Sequence, residues 1–367
     1  MARLWSLTLF VSCLFMACLP PQPLKIGFLA GLTGSAAELG NGARKAVDMV
    51  VRDLNQSGGI GGRPLELVVM DDQNQPRAGL EAYEEFHRQK VIAVVGPVAS
   101  TVIETILPYL NEHRLLTVSP TVSAASVAGL DDWFFRVITL NKAMGEDLAR
   151  YALGRGLTDV AVLRETSNNA YTMPILEAFR ARLEAAGGRV RAAVEFDLRK
   201  DPDYAALGRQ LGQASTYLIL ASGHDSALIG QQLAQVGRME PLLCPPWAMT
   251  PDVISLGGRQ VERMVFVSIY DPESREPSWL SFRDSFKALY GEEPGFSSVY
   301  AHDAMTLLIS ALSRSRSTSP DDVRAAMVAL GEVKGLQSPF HLDASGDVVR
   351  DLFFLSIRDG RFLRARQ

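Results

Sequence analysis

Cysteine is scarce: the 367 residues contain three. A disulfide-built scaffold is thereby excluded. Cys13 and Cys18 sit in an apolar N-terminal stretch, so only Cys244 remains in the body of the chain, and no cysteine zinc cluster can form there. Charge of one sign is also lacking. Lys and Arg number 37 against 41 Asp and Glu, a net charge of −4, where a nucleic-acid-binding chain carries a basic surplus or stripe. The five His residues (87, 113, 224, 302 and 341) are scattered. No His-Glu-x-x-His pair, Gly-x-Ser-x-Gly elbow or Walker loop occurs. The glycine run Gly58 to Gly62 follows a helical stretch and precedes an extended one, the reverse of a dinucleotide loop, and reads as a turn. The chain is therefore expected to be a non-enzyme that uses no cofactor and no metal.

What is present is material for a large core. Hydrophobic residues make up 47% and charged residues 21%, enough apolar surface to offset the entropy of ordering, and the length suits about two domains. The N-terminus stands apart. Arg3 precedes an apolar run of 13 residues, Leu4 to Met16, shorter than the ~20 residues that span a bilayer but the length of a signal-peptide core. Ala17-Cys18 then resembles a bacterial lipobox, with Phe15 where Leu is usual, and Leu19 to Pro23 is rich in breakers. The expectation is a signal peptide over 1–17, lipidation at Cys18 and a linker over 18–23. Simple cleavage and a retained N-terminal helix are the alternatives.

From Lys25 the pattern alternates. Lys25 to Ala30 reads as a buried strand, and Ala43, Ala46, Val47, Val50 and Leu54 recur with the helical period. Strands are expected at Leu65 to Met70, Val91 to Val95 and Leu115 to Val118, with helices over 77–89 and 101–112 between them. The rhythm restarts at Asn141, with strands at Val160 to Leu163, Val190 to Phe196, Tyr217 to Ala221, near Leu242 and at Met264 to Ile269. Helices over 278–290, 299–313 and from Pro320 follow, before strand-like stretches at Pro339 to Leu342 and Leu352 to Ile357. This rhythm predicts an α/β protein with parallel sheets covered by helices.

Several short stretches carry a family pattern: Gly31-Leu32-Thr33-Gly34, Gly40-Asn41-Gly42-Ala43, Asn55 to Leu65, Asp71-Asp72, Val94-Val95-Gly96-Pro97, Ser119-Pro120 and Tyr300-Ala301-His302-Asp303-Ala304. The chain resembles the type I periplasmic solute-binding proteins of the branched-chain amino acid class, components of ABC importers. The resemblance covers about Leu24 to Leu355. It implies two doubly wound parallel-sheet lobes joined by a hinge of several crossings, with solute bound between them. Lobe 1 is expected over 24–138 plus 272–336 and lobe 2 over 139–271 plus 337–367. The crossings fall near Arg136 to Asn141, Ile269 to Asp271 and Gly335 to Pro339. The implied function is capture of a small amino acid or related carboxylate for an ABC permease in the inner membrane. The protein would be a monomer of the periplasm or cell envelope, touching the membrane only through its lipid anchor. A sensory receptor domain that does not feed transport is the alternative.

Loops after the carboxyl ends of parallel strands are where ligands sit in such sheets. The resemblance places the solute carboxylate at Ser100, with Thr121 and Ser123 contributing from the next loop. Ser100 and Ser123 could otherwise serve as helix caps. Tyr171 matches an aromatic that closes on the solute from the second lobe, or packs locally. Asp225 lies after the strand at Tyr217 to Ala221 and could face solute or the dipole of its own helix. Amino-acid-binding members commonly carry a Glu after Gly-Pro to hold the ammonium, whereas this chain reads Cys244-Pro245-Pro246-Trp247. Trp247 is therefore expected as an apolar wall, and Leu39 stands where an aromatic often lines the pocket.

Overall fold

A computed structural model describes residues 21–34 and 37–365; the expected signal peptide and lipidation site Cys18 lie outside them. The first sheet consists of β1 (Leu24–Ala30), β2 (Leu65–Asp71), β3 (Ala93–Val95), β4 (Thr117–Ser119) and β5 (Phe134–Arg136), all parallel in the order β2-β1-β3-β4-β5. Helices α1 (Ala37–Gln56), α2 (Pro76–Arg88) and α3 (Ile103–Glu112) connect its first four strands. On α1, Ala43, Ala46 and Val47 are buried as the helical period requires, with Val50 and Leu54 half-buried at the edge of that face. Gly58 to Gly62 forms the expected turn, closed by an Ile60–Arg63 bridge.

The topology then repeats. In the second sheet β6 (Asp159–Glu165), β7 (Arg189–Phe196), β8 (Thr216–Leu220), β9 (Leu242–Cys244) and β10 (Met264–Ser268) run parallel in the order β7-β6-β8-β9-β10. Helices α4 (Asn141–Gly154), α5 (Asn169–Ala185), α6 (Tyr204–Gln210), α7 (Gly223–Gln235) and α8 (Pro251–Gly257) cover it. Helices α9 (Pro277–Tyr290), α10 (Phe296–Arg314) and α11 (Pro320–Val328) return to the first lobe. Ser298 Oγ donates to Gly42 O at 2.9 Å, Tyr290 OH to Lys45 O at 3.0 Å, and Arg324 Nε to Asp132 O at 2.9 Å. A hairpin of β11 (Glu332–Lys334) and β12 (Pro339–His341) follows. The chain ends with β13 (Phe353–Arg358) and β14 (Arg361–Arg364), which add two antiparallel strands to the edge of the otherwise parallel second sheet.

Four elements have no counterpart in the sequence reading: β5, α8, β11 and β14. Strand β5 contains Arg136, which is fully buried and so breaks an apolar run on paper. Its guanidinium is satisfied by Ala124 O (2.8 Å), Val127 O (3.1 Å) and the Asp347 carboxylate (2.5 Å). In addition Gly346 O accepts the Arg136 N–H at 3.1 Å. Residues around 343–347 thus lie against the first sheet.

Candidate functional site

Four of the six expected solute residues come together. Ser100, Thr121, Tyr171 and Trp247 line one cavity of about 30 Å³. Each lies beyond a strand's carboxyl end: Ser100 after β3, Thr121 after β4, Tyr171 in the first turn of the helix after β6 and Trp247 after β9. Two sheets with the same winding can present these loops to a single space because each sheet places them at the same end.

Ser100 opens a 3₁₀ turn, Ser100–Val102, that leads into α3. The cap position belongs to Ala99, which has no side-chain oxygen to offer, so Ser100 is not the cap. Its hydroxyl makes no hydrogen bond to a described residue, which leaves it and the uncapped start of the turn suited to an anion. Thr121 is more committed, since its Oγ1 donates to Val98 O at 2.5 Å and keeps its lone pairs for a solute donor. Opposite them, the rings of Tyr171 and Trp247 meet edge to face at 5.8 Å and 86°, the geometry favoured by the ring quadrupoles. Tyr171 OH reaches Met144 Sδ at 3.9 Å, and burial pushes its phenol up. Leu39, Val98, Ile138 and Phe296 complete an apolar lining, with Asn74 and Asn168 as its further polar members.

Ser123 and Asp225 do not join them. Ser123 is fully buried beside the crossing to α4, where its carbonyl accepts Asn141 N–H at 3.0 Å, and it does not line the cavity. Asp225 lines a separate cavity of about 240 Å³. There its Oδ1 accepts from Tyr204 OH at 2.6 Å and its Oδ2 from Ser222 Oγ, while Ser222 caps α7 through the Asp225 N–H. Its carboxylate is occupied within its own lobe.

Sequence reasoning missed Asn74, Asn168 and Phe296, although the first two follow β2 and β6 and the rule that nominated Ser100 reaches them too. It also missed Glu38. Leu39 and Trp247 line a second cavity of about 250 Å³ as well, together with Glu38, His224, Thr250 and Asp252. Glu38 Oε1 accepts the Asp252 N–H at 3.4 Å, joining α1 to the first turn of α8. Burial, with the Asp252 charge adding to it and nearby Thr250 and the Asp252 amide opposing it, raises the Glu38 carboxyl to about 7. A raised carboxyl favours the folded state while protonated. Its contribution is full below the ordinary value of 4.5 and is lost as pH rises through about 7. Asp72 and Asp132, each raised to about 6 chiefly by burial, titrate in the same window. The difference between proteins is therefore the measurement: Glu38→Gln should lose less stability than the wild type between pH 4.5 and 7 in denaturant titrations. Parallel curves would remove Glu38 from the account.

The pattern of the periplasmic binding protein family matches residues 23–361. The chain belongs to that family. Among its relatives, Leu/Ile/Val-binding protein homolog 3 of Brucella melitensis is 25% identical over 340 residues, covering 92% of this chain and 90% of the relative. A branched-chain amino acid transporter substrate binding protein of Streptococcus pneumoniae, solved with isoleucine, superposes with a TM-score of 0.85 at 20% identity, covering 93% and 97% of the two chains. An ABC transporter solute binding protein of R. palustris, solved with benzoate, superposes at 0.83 with 20% identity, covering 93% and 95%. Both share the two-lobed fold. The chain is a periplasmic binding protein, and the expected fold class holds. No described helix is long and apolar enough to cross a membrane, and no described group of His, Cys, Asp and Glu could hold a metal.

Proposed function

We propose that the protein captures a small carboxylate with an apolar body, an amino acid or a related acid, and delivers it without chemical change to an inner-membrane ABC permease. The observation that carries this reading is the shared cavity: Ser100 and Thr121 on the first-lobe side face Tyr171 and Trp247 on the second. The hydroxyl and turn amides at Ser100 suit the carboxylate, and the apolar lining suits the body. The isoleucine-bound neighbour supports an amino acid. One observation favours the amine-free acid of the benzoate-bound neighbour: no acidic side chain lines this cavity, and Asp225 is held by Tyr204 and Ser222. An ammonium buried there would lack a paired anion.

The lobes in this proposal are 24–138 with 272–347, and 139–271 with the C-terminal strands. The hold of Asp347 on Arg136 favours a third crossing nearer 348–352 than 335–339. We further propose a monomer anchored through acyl chains on Cys18, two or more being needed for stable attachment. Native mass spectrometry of the mature protein released from the envelope tests both ideas, reporting the co-purified solute and the mass added at Cys18. Calorimetry with that solute should show Ser100→Ala weakening binding about tenfold or more, since a charge-assisted hydrogen bond is lost. If the amide of the solute binds as tightly as the acid, Ser100 does not hold a carboxylate.

A further inference from the structure

Two side chains in the cavity lack what their positions would normally supply. Asn74 lies in the β2–α2 loop with φ 56°, a left-handed conformation that Asn tolerates, and its N–H donates to Asp72 Oδ1 at 2.8 Å. Asn168 occupies the cap position of α5 but does not cap it. The Glu165 carboxylate instead accepts the Ser167 and Asn168 N–H groups at 2.5 and 2.9 Å. Asn74 is 8% exposed and Asn168 5%, yet among the described residues no group donates to either carboxamide oxygen. A buried acceptor left without a donor costs more than an ordinary hydrogen bond contributes. One residue comes from each lobe, and both line the solute cavity.

We infer that Asn74 and Asn168 seat a neutral hydroxyl of the solute, which makes the preferred solute a hydroxy acid; this rests on the carboxylate reading of the same cavity. A carboxamide offers one oxygen and one NH₂ group, and a hydroxyl donates once and accepts twice. It can therefore pair with both side chains at once, donating to the oxygen of one and accepting from the NH₂ group of the other. An ammonium could donate to both oxygens, but it brings a full charge that needs an anion beside it when buried. It would lie among apolar groups, since the carboxylates of Asp225 and Glu38 line other cavities and Asp72 does not line this one.

The experiment is calorimetry on two series that share a skeleton: 2-hydroxy-4-methylpentanoate, leucine and 4-methylpentanoate, then 4-hydroxybenzoate and benzoate. In at least one series the hydroxy acid should bind about tenfold or more tightly than the unsubstituted acid, and leucine more weakly than its hydroxy counterpart. Asn168→Ala and Asn74→Gly, the latter keeping the left-handed backbone accessible, should each bring the hydroxy acid down toward its unsubstituted partner. Melting curves report the folding of each variant, and the two lie in different lobes. Equal binding of the hydroxy and unsubstituted acids would mean that water fills the seat, and the inference fails. It fails equally if leucine binds tightest or if the preference survives both substitutions. Should no acid of either series bind while another chemical class co-purifies, the carboxylate reading itself falls and takes this one with it.

Discussion

Arg350→Met is expected to lower stability by about 3–5 kcal/mol, or about 4–7 °C in melting temperature. The Arg350 and Asp303 side chains are 6% and 1% exposed and meet at 2.7 Å. Around them the connections between the lobes converge. Arg350 N–H donates to Thr139 Oγ1 at 3.0 Å, just beyond β5. Asp303 Oδ1 accepts Leu336 N–H at 2.9 Å, in the β11–β12 turn. Tyr300 OH donates to Ile269 O, just beyond β10, and the guanidinium lies 4.9 Å from the Tyr300 ring and 4.2 Å from that of Phe340. Removing Arg350 strands a carboxylate that burial alone would force to protonate. Against that burial, the Arg350 charge, with help from His302 and the Leu336 amide, holds Asp303 below the usual carboxylate range. A depressed carboxyl contributes stability above its unfolded value of 3.8, which is lost as pH falls through the folded value. The variant should therefore also lose part of the wild type's acid-side decline. Adding Asp303→Asn should recover part of the deficit by neutralising the stranded charge. A loss below about 1 kcal/mol for Arg350→Met would place the strength of this joint elsewhere.

Gly96→Ala is expected to cost about 3–5 kcal/mol and to abolish detectable solute binding. Gly96 directly follows β3 with φ 126°, a conformation that a side chain rarely adopts, and an added Cβ would overlap the Leu29 carbonyl of the neighbouring strand. Its N–H is tied to Val118 O at 3.0 Å, so the backbone is held on both sides. Relief requires moving the stretch from Gly96 to Ser100, which carries the proposed anion site. Gly154→Ala is the comparison, because that glycine ends α4 with open space where the Cβ would stand and has no positive φ. Substitution there should be neutral or slightly stabilising. Denaturant unfolding of the two variants side by side gives the answer. If they unfold at the same midpoint, the close approach at Leu29 does not govern β3.

The solute loops differ in how far they could be read in advance. The loops of Ser100 and Thr121 were legible because a short apolar strand followed by a polar loop is a local pattern, while the resemblance named the two residues within them. Tyr171 and Trp247 came with the family resemblance, and the shared cavity joins all four. Asp225 was placed after a strand end just as correctly, yet its carboxylate is taken by Tyr204, 21 residues earlier, and by Ser222. Asn74 could be explained locally by its backbone conformation. Its missing donor is visible only once the surrounding chain is folded.

By itself the sequence determined the alternation of strands and helices, the buried face of α1, the absence of a metal-binding motif and the family to which the chain belongs. Those follow from periodicity, composition and short motifs, all of which act over a few residues. The tertiary structure decided which loops share a cavity and which polar groups in it remain unpaired. It also decided that Glu38 meets Asp252, that Arg136 can be buried in β5 by virtue of Asp347, and that two antiparallel strands close the second sheet. The Glu38 and Arg136 partners are separated by more than two hundred residues. Desolvation and hydrogen-bond satisfaction depend on everything packed around a group, which only the folded chain specifies.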